Sequence, residues 1–251
     1  MFSKEDTAVL REISKKVNEL SQHPRNDALR ALWREHTALR GKRPMLFVSP
    51  EGSWVEILPP SALRCVDPAA RDLENELRQR IVRDALIRDD VPIERTVFVQ
   101  RAYIPINEGW GLVPQHEPSG DRRGAWRFKP VVETPSDWKK LRKPRLELNE
   151  AATAARFEAI REAVGDILDI RLTGCKNFSF HMMHLYCDLR GMSEMMMDLV
   201  LEPEMVHDVI AFFTEGLQGL IDQLRAENLI ALNNDSQYHY TGGLGYTDEL
   251  P

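Results

Sequence analysis

Asp235 is the residue whose type and setting most suggest chemistry. It follows the apolar run 229–232 by way of Asn233 and Asn234, so a carboxylate stands just past a segment that reads as a buried strand. Such a carboxylate can orient a substrate, bind a metal or take a proton. As a loop residue it can instead cap its own turn. Asn234 and His239 share that loop. Three other polar groups stand in the same relation to apolar runs. Ser49 and Glu51 follow 45–48, Arg101 and Tyr103 lie towards the end of the alternating run 95–104, and residues Lys176 to His181 follow 167–172. Asp235 and Arg101 form the candidate catalytic pair. Glu51, Tyr103, Asn177, His181, Asn234 and His239 are the candidate substrate-binding residues. A cation and a carboxylate in one partly dry mouth can pair with each other, or can bind opposite ends of a polar substrate. Asp235→Ala is then expected to cut activity sharply while leaving the melting temperature nearly unchanged.

These residues need elements to hold them, and the pattern supplies both helices and strands. Val9, Leu10, Ile13, Val17 and Leu20 recur at helical spacing, and the helical stretch 4–39 breaks near His23-Pro24. Asp27 is a candidate cap for a second helix bearing Leu29, Leu32 and Trp33. Asp67-Pro68 reads as an N-cap with proline at the first helical position, opening a charged helix over about 68–89. Residues 107–132, rich in Gly, Pro and Trp, read as a hairpin or long loop. Further helices are expected over about 149–164, 181–200 and 203–227, and strands over 45–48, 95–104, 167–172 and 229–232. Strands separated by helices imply parallel β-α units.

Composition narrows the function. The 251 residues are 43% hydrophobic and 29% charged, ordinary for a globular chain, with a net charge of −6. An acidic chain with no basic stripe is poorly suited to nucleic acid. The densest basic run, Lys139, Lys140, Arg142, Lys143 and Arg145, reads as a solvated helix end and linker. No apolar run approaches the length that a membrane span needs, and Met-Phe-Ser-Lys-Glu-Asp at the start is not a signal peptide. Three scattered cysteines, Cys65, Cys175 and Cys187, fit a reduced, cytoplasmic setting.

Several segments, in order, resemble the uroporphyrinogen decarboxylase superfamily. In 43–54, Arg-Pro-Met-Leu-Phe-Val-Ser-Pro-Glu-Gly-Ser-Trp, a short apolar strand runs into a glycine-containing turn. There the family typically has Arg-Gln-Ala-Gly-Arg-Tyr. The glycine and an aromatic are kept, but Ser49 and Ser53 replace both arginines. The segment 97–105 stands where the family has its second strand, with Arg101 in place of an aspartate. Lys129-Pro-Val-Val132, Thr173-Gly174 with 178–180, Pro203 with His207, and Asn234-Asp235 match later family segments in order and spacing.

The resemblance implies a (β/α)8 TIM barrel of the uroporphyrinogen-decarboxylase type. Residues 1–42 would be an N-terminal helical segment and 43–251 a partial barrel of about four strands, a truncated domain inactive by itself. In such barrels reactive groups lie at the carboxyl ends of the strands. Without the two arginines the chain lacks the forks that grip propionates, so the family's corrinoid-dependent methyltransferases are the better match than its decarboxylases. The expected activity is methyl transfer from a small methylated substrate to a corrinoid carried by a partner protein. Zinc, where used in that branch, is held by a His-x-Cys pair and a distant Cys. This chain has no His-x-Cys, so its zinc ligands are expected outside it. The alternatives are a cofactor-free decarboxylase of a non-porphyrin acid, with Arg101 on the carboxylate, and a non-catalytic binding protein on the same fold.

Two features have bland explanations that outweigh the functional ones. His181, His184 and Cys187, three apart on one helical face, form a metal-like patch, but Met182, Met183, Leu185 and Tyr186 around them favour packing. No metal ligand is therefore assigned. Met192, Met195, Met196 and Met197 crowd one helix, where filling a core is favoured over a partner surface.

Overall fold

In a computed structural model, residues 1–106, 109–120, 124–178, 181–238 and 243–249 are described. The chain is mixed α/β. In order, it forms helices α1 (Lys4–Ser21), α2 (Pro24–Thr37), α3 (Trp54–Ile57) and α4 (Pro68–Val82), then strands β1 (Thr96–Gln100), β2 (Tyr103–Ile106), β3 (Gln115–Pro118), β4 (Trp126–Lys129) and β5 (Arg145–Leu148). These are followed by α5 (Glu150–Val164), β6 (Asp169–Thr173), α6 (Met182–Arg190), α7 (Met192–Leu201) and α8 (Pro203–Ala226). Among the described residues the strands pair in twos, β1 with β6, β2 with β5 and β3 with β4. No closed barrel is formed among the described residues.

Two compact units divide the chain: Met1–Arg101 with Glu150–Asn177 and Ala231–Pro251, and Ala102–Asn149 with Phe178–Ile230. The first is built on one β-α-β unit. β1 and β6 run parallel, with Val97 opposite Ile170 and Gln100 opposite Thr173. A parallel pair needs a crossover, and α5 supplies it by packing on both strands. Residues 102–149 are inserted between β1 and α5. Strand alternation sends Val97 and Val99 into a core with Val9, Leu10, Ile13 and Val17 of α1, Leu73 and Leu77 of α4, and Ile160, Ala163 and Val164 of α5. Phe98 and Gln100 lie on the opposite face.

Two buried carboxylates tie the turn 64–67 into this core. Asp6, at the start of α1, accepts the N–H groups of Val66 (2.8 Å) and Asp67 (3.1 Å). Glu74 of α4 accepts those of Arg64 and Cys65 and is paired with Arg78 at 2.8 Å. The Val66 N–H bond outweighs burial and holds Asp6 below its ordinary pKa. Burial acts against ionisation of Glu74, but the Cys65 and Arg64 N–H groups and Arg78 together hold its pKa down. Asp67 caps α4 as expected, accepting from Ala69 and Ala70. The expected cap of α2 is displaced. His23 is the N-cap and accepts the Arg25 N–H through Nδ1, because Pro24 already occupies the first helical position; Asp27 pairs with Arg30 instead.

Residues 45–48, expected as a strand, are extended but join no ladder. Acidic side chains take their backbone donors: Leu46 N–H goes to Asp90 and Val48 N–H to Asp89. Arg43 and Arg83 hold those carboxylates in turn. Residues 229–232 are likewise no strand; Ala231 N–H reaches the Cys175 carbonyl at 2.9 Å. The expected strand 95–104 breaks into β1 and β2, one in each unit.

The second unit has its own core, with Tyr186, Leu189, Phe213, Trp138 and Val132 buried. Pro105, which lacks an N–H, sits opposite Leu146. Leu146 turns its N–H and carbonyl away from β2 to the Gln223 amide (3.2 and 2.6 Å), so no ladder bond is lost at the proline. The hairpin expected within 107–132 is present as β3–β4. Of the basic run, Lys140 pairs with Asp137 and Lys143 with Glu215. The crowded methionines do not all fill the core. Met195 is buried, whereas Met192, Met196 and Met197 are exposed on α7.

Candidate functional site

The carboxyl end of the β1–β6 pair carries a connected polar cluster. β6 ends at Thr173, and the chain continues through Gly174 and Cys175 to Lys176 and Asn177. Lys176 turns back over the sheet face that the helices do not cover, and its Nζ stands 3.9 Å from the centre of the Phe98 ring. The same ammonium donates to Asp235 Oδ2 at 2.5 Å, while Asp235 Oδ1 accepts the Gln237 N–H at 3.0 Å. Lys176 is 6% exposed and Asp235 29%. The ammonium is therefore largely withdrawn from water, with a carboxylate and an aromatic face in place of hydration. Such a contact with a desolvated cation contributes about 2 kcal/mol, and removing one partner of a buried pair costs about 3–5 kcal/mol.

A second layer fixes the loop. Asn233 Nδ2 donates to Asn177 Oδ1 at 2.6 Å, Asn177 Nδ2 reaches the Tyr238 carbonyl at 3.4 Å, and Asn234 Nδ2 reaches the Thr247 carbonyl at 3.4 Å. Tyr238 stacks on Phe47, with ring centres 4.9 Å apart. The arrangement can orient a polar substrate through one carboxylate and two amides. Because each Asp235 oxygen already accepts a hydrogen bond, the carboxylate suits orientation better than proton removal.

The expected site residues separate into groups. Asp235, Asn234 and Asn177 come together. The cation on Asp235 is Lys176, not Arg101. Arg101 directly follows β1 and its N–H donates to the Thr173 carbonyl; among the described residues its guanidinium has no partner. Glu51 is exposed, with φ of +47°, in the turn that precedes α3. Tyr103 in β2 and His181 at the start of α6 belong to the other unit. His239 lies outside the described residues. Lys176 stood only at the edge of an expected loop; its spacing to Asp235 gives no sequence signal, since 59 positions separate them. Of the patch of His181, His184 and Cys187, His181 precedes α6, Cys187 is buried, and His184 is 3.5 Å from Asp188, which also meets His116 of the hairpin at 3.0 Å. No three His, Cys, Asp or Glu side chains gather into a metal-binding group among the described residues. Nor is any described helix long and apolar enough to cross a membrane.

No protein-family model, curated protein or solved structure matches this chain.

Proposed function

We propose that this chain is a methyltransferase of the uroporphyrinogen-decarboxylase kind, built on part of a β/α barrel, that delivers a methyl group from a small methylated substrate to a corrinoid on a partner protein. The observation that carries this reading is the Lys176–Asp235 pair at the carboxyl end of two parallel strands joined by α5. That is where β/α enzymes keep their reactive groups. The ordered resemblance of the sequence segments supports it. Zinc ligands, where zinc is used, are expected outside this chain, and no step is assigned to the ion. The corrinoid supplies the acceptor for the methyl group. Asp235 and the Asn177–Asn233 amides bind and orient the substrate's polar end, and Lys176 holds Asp235 in place.

Asp235→Ala is the wrong test, because it would strand the Lys176 ammonium and destabilise the fold. Asp235→Asn keeps an acceptor for Lys176. In an assay of methyl transfer from methoxy and N-methyl donors to cob(I)alamin, Asp235→Asn should reduce the rate on the order of 10²-fold, with a smaller loss of melting temperature than Asp235→Ala. Measured in the full-length protein, because the chain by itself is expected to be inactive, no transfer by the parent or normal transfer by the variant would reject the reading. The Arg101 guanidinium, without a partner among the described residues, favours a second one, decarboxylation of a non-porphyrin acid; carbon dioxide release that is lost in Arg101→Gln would establish it.

A further inference from the structure

Helix α7 is apolar nearly all the way round. Its buried stripe is Met195 and Asp198, the latter held by Tyr186 and Arg190. Away from that stripe, Met192, Met196, Met197, Leu199, Val200 and Leu201 are 46–78% exposed. A helix with apolar residues on every side is normally covered, and contiguous exposed apolar surface of this kind marks an interaction site. The methionines supply a flexible, adaptable surface. The spacing of Met192, Met196 and Val200, and of Met197 and Leu201, matches one face of a partner helix lying along α7.

One end of this strip is acidic, with His207 the one basic side chain among its exposed residues 202–208. Glu202, Glu204 and Asp208, at the carboxyl end of α7 and the start of α8, are exposed. Among the described residues their carboxylates have no hydrogen-bond or ion-pair partner. An apolar strip ending in unpaired carboxylates is complementary to a helix with leucine-like residues on one face and Lys or Arg beside them. A second copy fits worse. In a two-fold contact the partner would present this same surface, whose α7 carries no Lys or Arg to meet the carboxylates, and the chain already carries a net charge of −6. An anionic membrane would be repelled for the same reason.

We propose that α7 with its acidic rim is the docking surface for a basic amphipathic helix of a partner protein. The test uses two fluorescein-labelled synthetic helices with leucines at i, i+3, i+4 and i+7, one with lysine and one with glutamate at the remaining positions. Binding to the whole chain is followed by fluorescence anisotropy. The lysine peptide should bind at least about tenfold more tightly, a difference of about 1.4 kcal/mol, and its binding should weaken as salt shortens the Debye length below about 8 Å. Met196→Ser with Val200→Ser, both on exposed positions, should weaken it about tenfold with the far-UV circular dichroism unchanged. Glu202→Gln, Glu204→Gln and Asp208→Asn together should abolish the preference for lysine. Equal binding of the two peptides, or no effect of the α7 pair, overturns the proposal. So does concentration-dependent dimerisation that the α7 pair abolishes in the absence of peptide binding, which would make the occupant a second copy.

Discussion

Replacing Glu74 by glutamine tests the reasoning about the core of the first unit. The carboxylate is fully buried and accepts the Cys65 N–H at 2.7 Å, the Arg64 N–H at 2.8 Å and Arg78 Nε at 2.8 Å. Two effects compete. Burial makes a charged group costly, so a neutral amide could be harmless. Yet the pKa of Glu74 is held below its ordinary value, so the three donors more than offset the desolvation and the ionised form favours the fold. With glutamine, the amide oxygen can face the two backbone donors, leaving the NH2 group against Arg78. Each backbone bond then falls from a charge-assisted to a neutral one, a loss of about 1 kcal/mol apiece. The Arg78 side chain, 25% exposed, turns to water at a smaller cost. The total is about 2–3 kcal/mol, read by urea unfolding followed by circular dichroism at pH 7. The pH dependence has a definite sign. A carboxylate with a depressed folded pKa contributes its stability above the unfolded value of about 4.3 and loses it as pH falls through the folded value. The gap between parent and variant should therefore shrink below about pH 4. A cost under about 0.5 kcal/mol at pH 7, or a gap that persists undiminished in acid, would refute the account.

Three further outcomes are expected. Gly216 of α8 faces the Trp110 ring, and an added Cβ would stand 2.7 Å from it and 2.9 Å from Pro144 Cδ; Gly216→Ala should destabilise by about 1–3 kcal/mol in the same unfolding assay, the clash exceeding the helix-propensity gain of under about 1 kcal/mol. Burial, and then Glu74, push the Cys65 thiol up to about 12, so iodoacetamide at pH 8 should leave native Cys65 unlabelled and alkylate it in urea, as peptide mass spectrometry would show. With Ser49, Ser53 and Arg101 in place of the groups a tetrapyrrole tetraacid needs, even the full-length protein should yield no coproporphyrinogen from uroporphyrinogen in an anaerobic assay.

Local features were legible in the residues alone. The Asp67-Pro68 cap, the break at His23-Pro24, the buried stripe of α1 and the start of α8 at Pro203 are set within a turn or two of chain, where capping, fixed proline φ and helical periodicity act. The expected place of Asp235 at the end of a strand was not: 229–232 forms none, and Asp235 reaches the carboxyl end of β6 through Lys176. What depended on distant partners was not. Residues 45–48 have a strand's composition, yet Asp89 and Asp90 take their donors. The run 95–104 looks continuous, but its two halves pair with β6 and β5, whose places in the fold no local pattern specifies. The methionines of α7 look like core until tertiary packing buries only the Met195 stripe. Asp235 and Arg101 have the charges of a pair, and only the folded chain assigns that role to Lys176, carried over the Phe98 ring by the turn after β6. Propensity and capping act over a few residues, whereas a buried ion pair depends on which segments the fold brings into one dry space.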